Sequence, residues 1–81
     1  MNGTTVRRMA GKKGAGLTEF DREVLHRWAR ENMRVGRTAK ALHLHPNTVR
    51  YHLDKIRRET GKDPRSFQGL TELLKELEEG T

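Results

Sequence analysis

The sequence predicts an all-α protein: a small four-helix domain that contains a helix-turn-helix, preceded by a flexible basic arm. Three observations carry this prediction. Apolar residues recur at three- and four-residue spacing between Phe20 and Leu77, and no stretch alternates as a strand would. Helix starts and stops punctuate that pattern, with Thr18, Pro46 and Asp63–Pro64 as starts and Gly61 as a stop. The middle of the chain, "TAKALHLHPNTVRYHL", places two helical stretches on either side of a short turn. With 81 residues, 32% hydrophobic and 35% charged, the chain holds one small domain near the lower limit for a self-sufficient core.

Residues 1–16, "MNGTTVRRMAGKKGAG", are rich in Gly, Thr and Lys/Arg and lack periodicity, so they read as the arm, and 17–79 as the helix-turn-helix domain. The first helix begins behind Thr18 as N-cap, with Asp21 in the N3 place of a capping box. Phe20, Val24, Leu25, Trp28 and Ala29 then form one apolar stripe, which makes Trp28 a core residue. A short second helix runs from about Arg37 to His43, with Ala39, Ala41 and Leu42 as its apolar residues. Two alanines in so short an element imply that another helix approaches it closely. Pro46 starts the third helix: it loses no hydrogen bond at the first position and biases His45 towards the extended backbone of an N-cap. The third helix, Pro46–Thr60, closes at Gly61. Asp63 and Pro64 read as N-cap and N1 of a fourth helix. Its stripe is Phe67, Leu70, Leu73, Leu74 and Leu77, weakened by Gly69.

At about 100° per residue, Val49, Leu53, Ile56 and Thr60 share one side of the third helix. That side is buried. Asn47, Tyr51, Asp54 and Arg58 point away from it, with Arg50 and Arg57 on one flank and Thr48 and Lys55 on the other. The outward surface therefore offers an amide, a hydroxyl, a phenol and several cations, groups that meet base edges and phosphates in a major groove. Asn47, Thr48, Arg50 and Tyr51 are the candidates for bases or the adjacent backbone, and Arg37, Lys40, Lys55 and Arg58 for phosphates. Asn bridges adenine and Arg bridges guanine in such readers. Asp54, an acid on that face, is expected to pair with Arg50 or Arg58, each four residues away.

Charge distribution points the same way. Residues 1–16 carry +4, 17–33 carry −1, 34–62 carry +6 and 63–81 carry −3, for a net +6. Positive charge gathered on the arm and the middle segment fits a polyanion-binding face.

Other chemistries find little support. There is no cysteine, hence no disulfide framework, thiolate nucleophile or cysteine-ligated zinc. His43, His45 and His52 are the obvious metal candidates, but no cysteine or suitably spaced carboxylate completes a four-ligand set. They are expected in the turn, at the cap, and packed at a helix boundary. The segment "GKKGAGL" has a Gly-Lys but not the rest of a phosphate-binding loop. No enzyme, cofactor, metal or small-molecule ligand is expected. No apolar run approaches the roughly 20 residues of a membrane span, and the first 16 residues lack a signal-peptide core. A cytoplasmic location is the default. An RNA binder is disfavoured because no exposed aromatic pair for stacking unpaired bases is evident.

Ala39 facing the helix crossing, Leu44 plugging the turn, and Val49 and Leu53 seating the second helix meet the demands of helix-turn-helix geometry. His43 stands at the turn place where glycine is common. The run "TAKALHLHPNTVRYHLDKIRRETGKDPRSF" resembles the C-terminal helix-turn-helix domain of PucR/CdaR-type bacterial transcription regulators. Those domains read T-A-x-x-L-x-(apolar)-H-x-N-T-V-x-Y-(R/H)-L-x-x-(apolar) and continue into T-G-x-D-P-R. The resemblance covers about residues 20–74, and the broader Fis-like helix-turn-helix group is similar in arrangement. It implies a DNA-binding transcription regulator, of a bacterium or a phage, whose helix Pro46–Thr60 reads the major groove of double-stranded DNA. The family normally carries this module behind a large sensor region. Here 16 residues precede it, so the chain is either a stand-alone small protein, the reading Met1 favours, or an excised domain of a larger regulator. The leucine stripe of the fourth helix has three readings: it completes the core, pairs two copies as a homodimer, or docks a partner helix in a protein-interaction module.

Overall fold

The structure, a computed structural model, describes residues 16–79, which form four helices. They are α1 (Glu19–Arg30), α2 (Val35–Leu42), α3 (Pro46–Thr60) and α4 (Phe67–Glu79). The expected arm, apart from Gly16, lies outside the described residues.

α1 packs on each of the other three helices, and α2 packs on α3. Its start is the expected capping box: Asp21 N donates to Thr18 Oγ1 at 3.0 Å, and Thr18 N donates to Asp21 Oδ2 at 2.9 Å. Val24, Leu25 and Trp28 are buried, together with Leu17 just ahead of the cap. Phe20, placed on the stripe by spacing, lies at its edge with 38% exposure.

α2 begins two residues earlier than its apolar pattern implies. Arg34 is the N-cap in extended backbone, and Thr38, fully buried, donates to the Arg34 carbonyl from both N (3.0 Å) and Oγ1 (2.7 Å). Of the two alanines, Ala39 is buried at the crossing, whereas Ala41 faces outward. The helix ends one residue early because His43 takes the left-handed conformation, φ 58°. Leu44 N then bonds back to the Ala39 carbonyl at 2.8 Å, a Schellman-type closure. The half-buried Leu44 packs against the core, as the turn requires.

α3 follows its prediction closely. His45 caps it, with Nδ1 accepting from Asn47 N at 3.0 Å, and Gly61 ends it at φ 76°. Val49, Leu53 and Ile56 are fully buried.

α4 departs from expectation at its start. Asp63 and Pro64 form a turn ahead of the helix, not its cap and first residue. Ser66 takes the cap role instead: its Oγ accepts from Gly69 N at 2.9 Å, and its carbonyl accepts from Leu70 N at 2.9 Å. The Pro64 carbonyl receives the buried Trp28 Nε1–H at 2.9 Å, an anchor that a helical first residue would not leave available in this way. Phe67 consequently falls outside the stripe, 80% exposed, while Leu70, Leu73 and Leu77 close the core against α1. The leucine face offered for a homodimer or a partner helix is thus inside the chain's own core. Among the described residues, no helix is long and apolar enough to cross a membrane.

Candidate nucleic-acid interface

α3 presents opposite faces to the core and to the outside. With Val49, Leu53 and Ile56 fully buried, the rotation of the helix is fixed, and Asn47, Arg50, Tyr51, Asp54 and Arg58 are exposed on its other side. Thr48 is half-buried on the flank. Arg37 and Lys40 of α2 are exposed, as expected for phosphate candidates. They line, with Glu31 and Ala41, a shallow open depression that encloses nothing.

Three outward side chains have partners that the helical wheel did not supply. Arg50 Nη1 donates to Asn47 Oδ1 at 2.8 Å, so these two base-reading candidates are joined one turn apart. Asp54 pairs neither with Arg50 nor with Arg58. Its Oδ1 accepts from Arg65 Nη1 at 2.8 Å, a residue of the α3–α4 turn. That turn is oriented by Asp63 Oδ1 accepting Arg65 N at 2.9 Å, and secured by the Lys62–Glu76 ion pair at 2.6 Å. Arg65 therefore neutralises the acid that would otherwise face a polyanion.

Lys55, expected at a phosphate, is engaged within the chain. Its ammonium donates to Asp21 Oδ2 at 2.8 Å, across the α1–α3 contact, and this bond raises the Lys55 pKa. His52 joins from the preceding turn, its Nδ1–H donating to Asp21 Oδ1 at 2.7 Å. Burial by itself would raise the Asp21 carboxyl. The bonds from Lys55, Thr18 and His52 outweigh it and lower the carboxyl from 3.8 to about 2. Asp21 is thus both the capping-box acid and the tie that fixes α3 on α1. Only the first role was visible in the sequence, because its partners lie more than thirty positions away.

His52 also meets the edges of two rings, Phe20 at 5.0 Å and Tyr51 at 5.2 Å, with interplanar angles of 76° and 83°. Phe20 and Tyr51 are 38% and 56% exposed, each against His52 and not paired with one another in a ring contact. Both rings are held by His52 between them. The three histidines occupy their expected places, His43 in the turn, His45 at the cap and His52 against α1. Among the described residues no cluster of three or more His, Cys, Asp or Glu is arranged to hold a metal ion.

A left-handed turn joining a short α2 to a capped α3, whose polar and basic face is turned outward, defines a helix-turn-helix module of the DNA-binding kind. Residues 22–78 match the model of the PucR C-terminal helix-turn-helix domain, and the chain belongs to that family. This is a DNA-binding family of transcription regulation. No curated protein and no solved structure matches the chain.

Proposed function

We propose that the chain binds duplex DNA sequence-specifically, with α3 in the major groove, and regulates transcription in a bacterium or a phage. The observation that supports this best is the division of α3. Its apolar residues are fully buried, which leaves Asn47, Arg50, Tyr51 and Arg58 exposed along the other face. Asn47, Arg50 and Tyr51, with Thr48 at their flank, lie in the first two turns, where a recognition helix meets base edges. Arg37, Lys40 and Arg58 serve phosphates. Lys55, engaged by Asp21, orients α3.

Titration with duplex DNA, single-stranded DNA and structured RNA tests this reading, followed by selection from random duplexes. Preference for duplex and enrichment of a motif are expected. Asn47→Ala or Arg50→Ala should lose the preference for the selected site while keeping non-specific binding. Arg37→Ala or Arg58→Ala should weaken all duplexes about equally, since phosphate contacts carry no sequence information. Equal or tighter binding to RNA, or a selection that enriches nothing, would reject the proposal.

A further inference from the structure

At the start of α3 two hydrogen bonds, one to the backbone and one between side chains, fix which atoms face outward. His45 Nδ1 accepts from Asn47 N at 3.0 Å, and Asn47 Oδ1 accepts from Arg50 Nη1 at 2.8 Å. A neutral imidazole that accepts at Nδ1 carries its proton at Nε2. An asparagine whose oxygen is turned to a guanidinium presents its NH₂ end outward, and arginine has no acceptor to offer. His45, Asn47 and Arg50 are all exposed. What they turn outward is therefore a set of N–H donors.

The neighbouring side chains add no unpaired carboxylate beside them. The first turn of α3 contains no acid, and the Asp54 carboxylate one turn beyond Arg50 is held by Arg65. Tyr51 supplies the nearby hydroxyl, which donates as readily as it accepts.

In the major groove guanine shows two acceptors, N7 and O6. Adenine shows N7 beside the N6 donor, and cytosine shows the N4 donor. An asparagine with a free carboxamide bridges adenine by accepting from N6 and donating to N7. With the Asn47 oxygen turned to Arg50, the groups the pair presents outward are N–H donors, which match the two acceptors of guanine better than the N6 donor of adenine or the N4 donor of cytosine. We infer that Asn47 and Arg50 act as one guanine-reading unit: Arg50 spans N7 and O6, and Asn47 holds its guanidinium in place. This rests on the sequence-reading role of α3 proposed above. Phosphate oxygens also accept from such donors, and the experiment separates the two.

The full chain is used to select duplexes from a random pool, and each guanine of the enriched motif is then replaced by 7-deazaguanine or by inosine. At one guanine, 7-deazaguanine, which lacks N7, should weaken binding about tenfold. Inosine there keeps N7 and O6 and should bind like guanine. Arg50→Ala should abolish the 7-deazaguanine effect, and Asn47→Ala should diminish it although Arg50 is intact. Both residues are exposed, so circular dichroism should show an unchanged fold. A motif without guanine, or one in which every 7-deazaguanine is tolerated, overturns the inference and leaves sequence reading standing. So does an Arg50→Ala variant that weakens all duplexes equally, the behaviour of a phosphate contact. A selection that enriches no motif overturns both.

Discussion

Asp21 carries a charge in a fully buried site, and such a site is tolerated only when the charge is paired and hydrogen-bonded. Lys55, His52 and Thr18 supply those bonds, which is why its carboxyl titrates at about 2 instead of 3.8. A pKa depressed by folding means that the unfolded chain binds the proton more tightly. The resulting stability is fully present above pH 3.8 and is lost as pH falls through about 2, amounting to about 2 kcal/mol. Urea midpoints measured between pH 5 and pH 2 should fall across this window in the wild type. Asp21→Asn, less stable at neutral pH, should lack that step; an equal fall in both proteins would show that other carboxylates carry it. Gly69 makes a second local demand. Any Cβ there would run into the Asp63 carbonyl, lying 2.9 Å from its carbon, and would press Ser66 Oγ at 2.8 Å. Gly69→Ala, which favours a helix interior by propensity, should therefore destabilise the fold by roughly 1–3 kcal/mol, readable as a lower thermal midpoint. An unchanged or raised midpoint would show that the turn relaxes freely.

α3 was legible in the sequence because its signals are local and agree: Pro46 and Gly61 mark its ends, and Val49, Leu53 and Ile56 define one face. The start of α4 is ambiguous in the sequence because two local signals compete. Asp63–Pro64 makes as good a cap and first residue as Ser66–Phe67, and the choice falls to Trp28, thirty-six positions away, which binds the Pro64 carbonyl. The same limit governs the candidate site. Exposure along α3 follows from periodicity, so Asn47, Arg50, Tyr51 and Arg58 could be named from spacing, whereas the partners of Lys55 and Asp54 come from other elements. Because Lys55 ties α3 to α1, its removal should act on helix seating and not on counterion release. Lys55→Ala should leave the slope of log K against log salt for duplex binding unchanged. Arg58→Ala should lessen its magnitude by about 0.9, the contribution of one phosphate contact. Equal reductions in both variants would place the Lys55 ammonium on DNA and break its assignment to Asp21.

A chain this small has little core to spare, and the position of α4 shows how it is completed. Among the helices α4 rests on α1 alone, attached by the buried Leu70, Leu73 and Leu77 with the half-buried Leu74 beside them, while Trp28 and Lys62 secure the preceding turn and the helix beyond it. Side chains buried in this way have no area left for a second copy. The surface α4 leaves outward contains the exposed Phe67 and several charges, among them Glu76 in its ion pair with Lys62. A charge placed at Leu73 therefore tests folding and not association. Leu73→Glu would bury an unpaired carboxylate and lose the packing of a leucine, a cost of roughly 3–5 kcal/mol against a total stability of about 5–15 kcal/mol for a typical domain. Circular dichroism should show a thermal midpoint lowered by tens of degrees or a chain unfolded at room temperature, and DNA binding should fail together with the helical signal. Sedimentation under conditions where both proteins are folded should give the variant the same mass as the wild type. A well-folded variant with half the wild-type mass would instead make Leu73 an interface residue and would require α4 to be packed differently against α1.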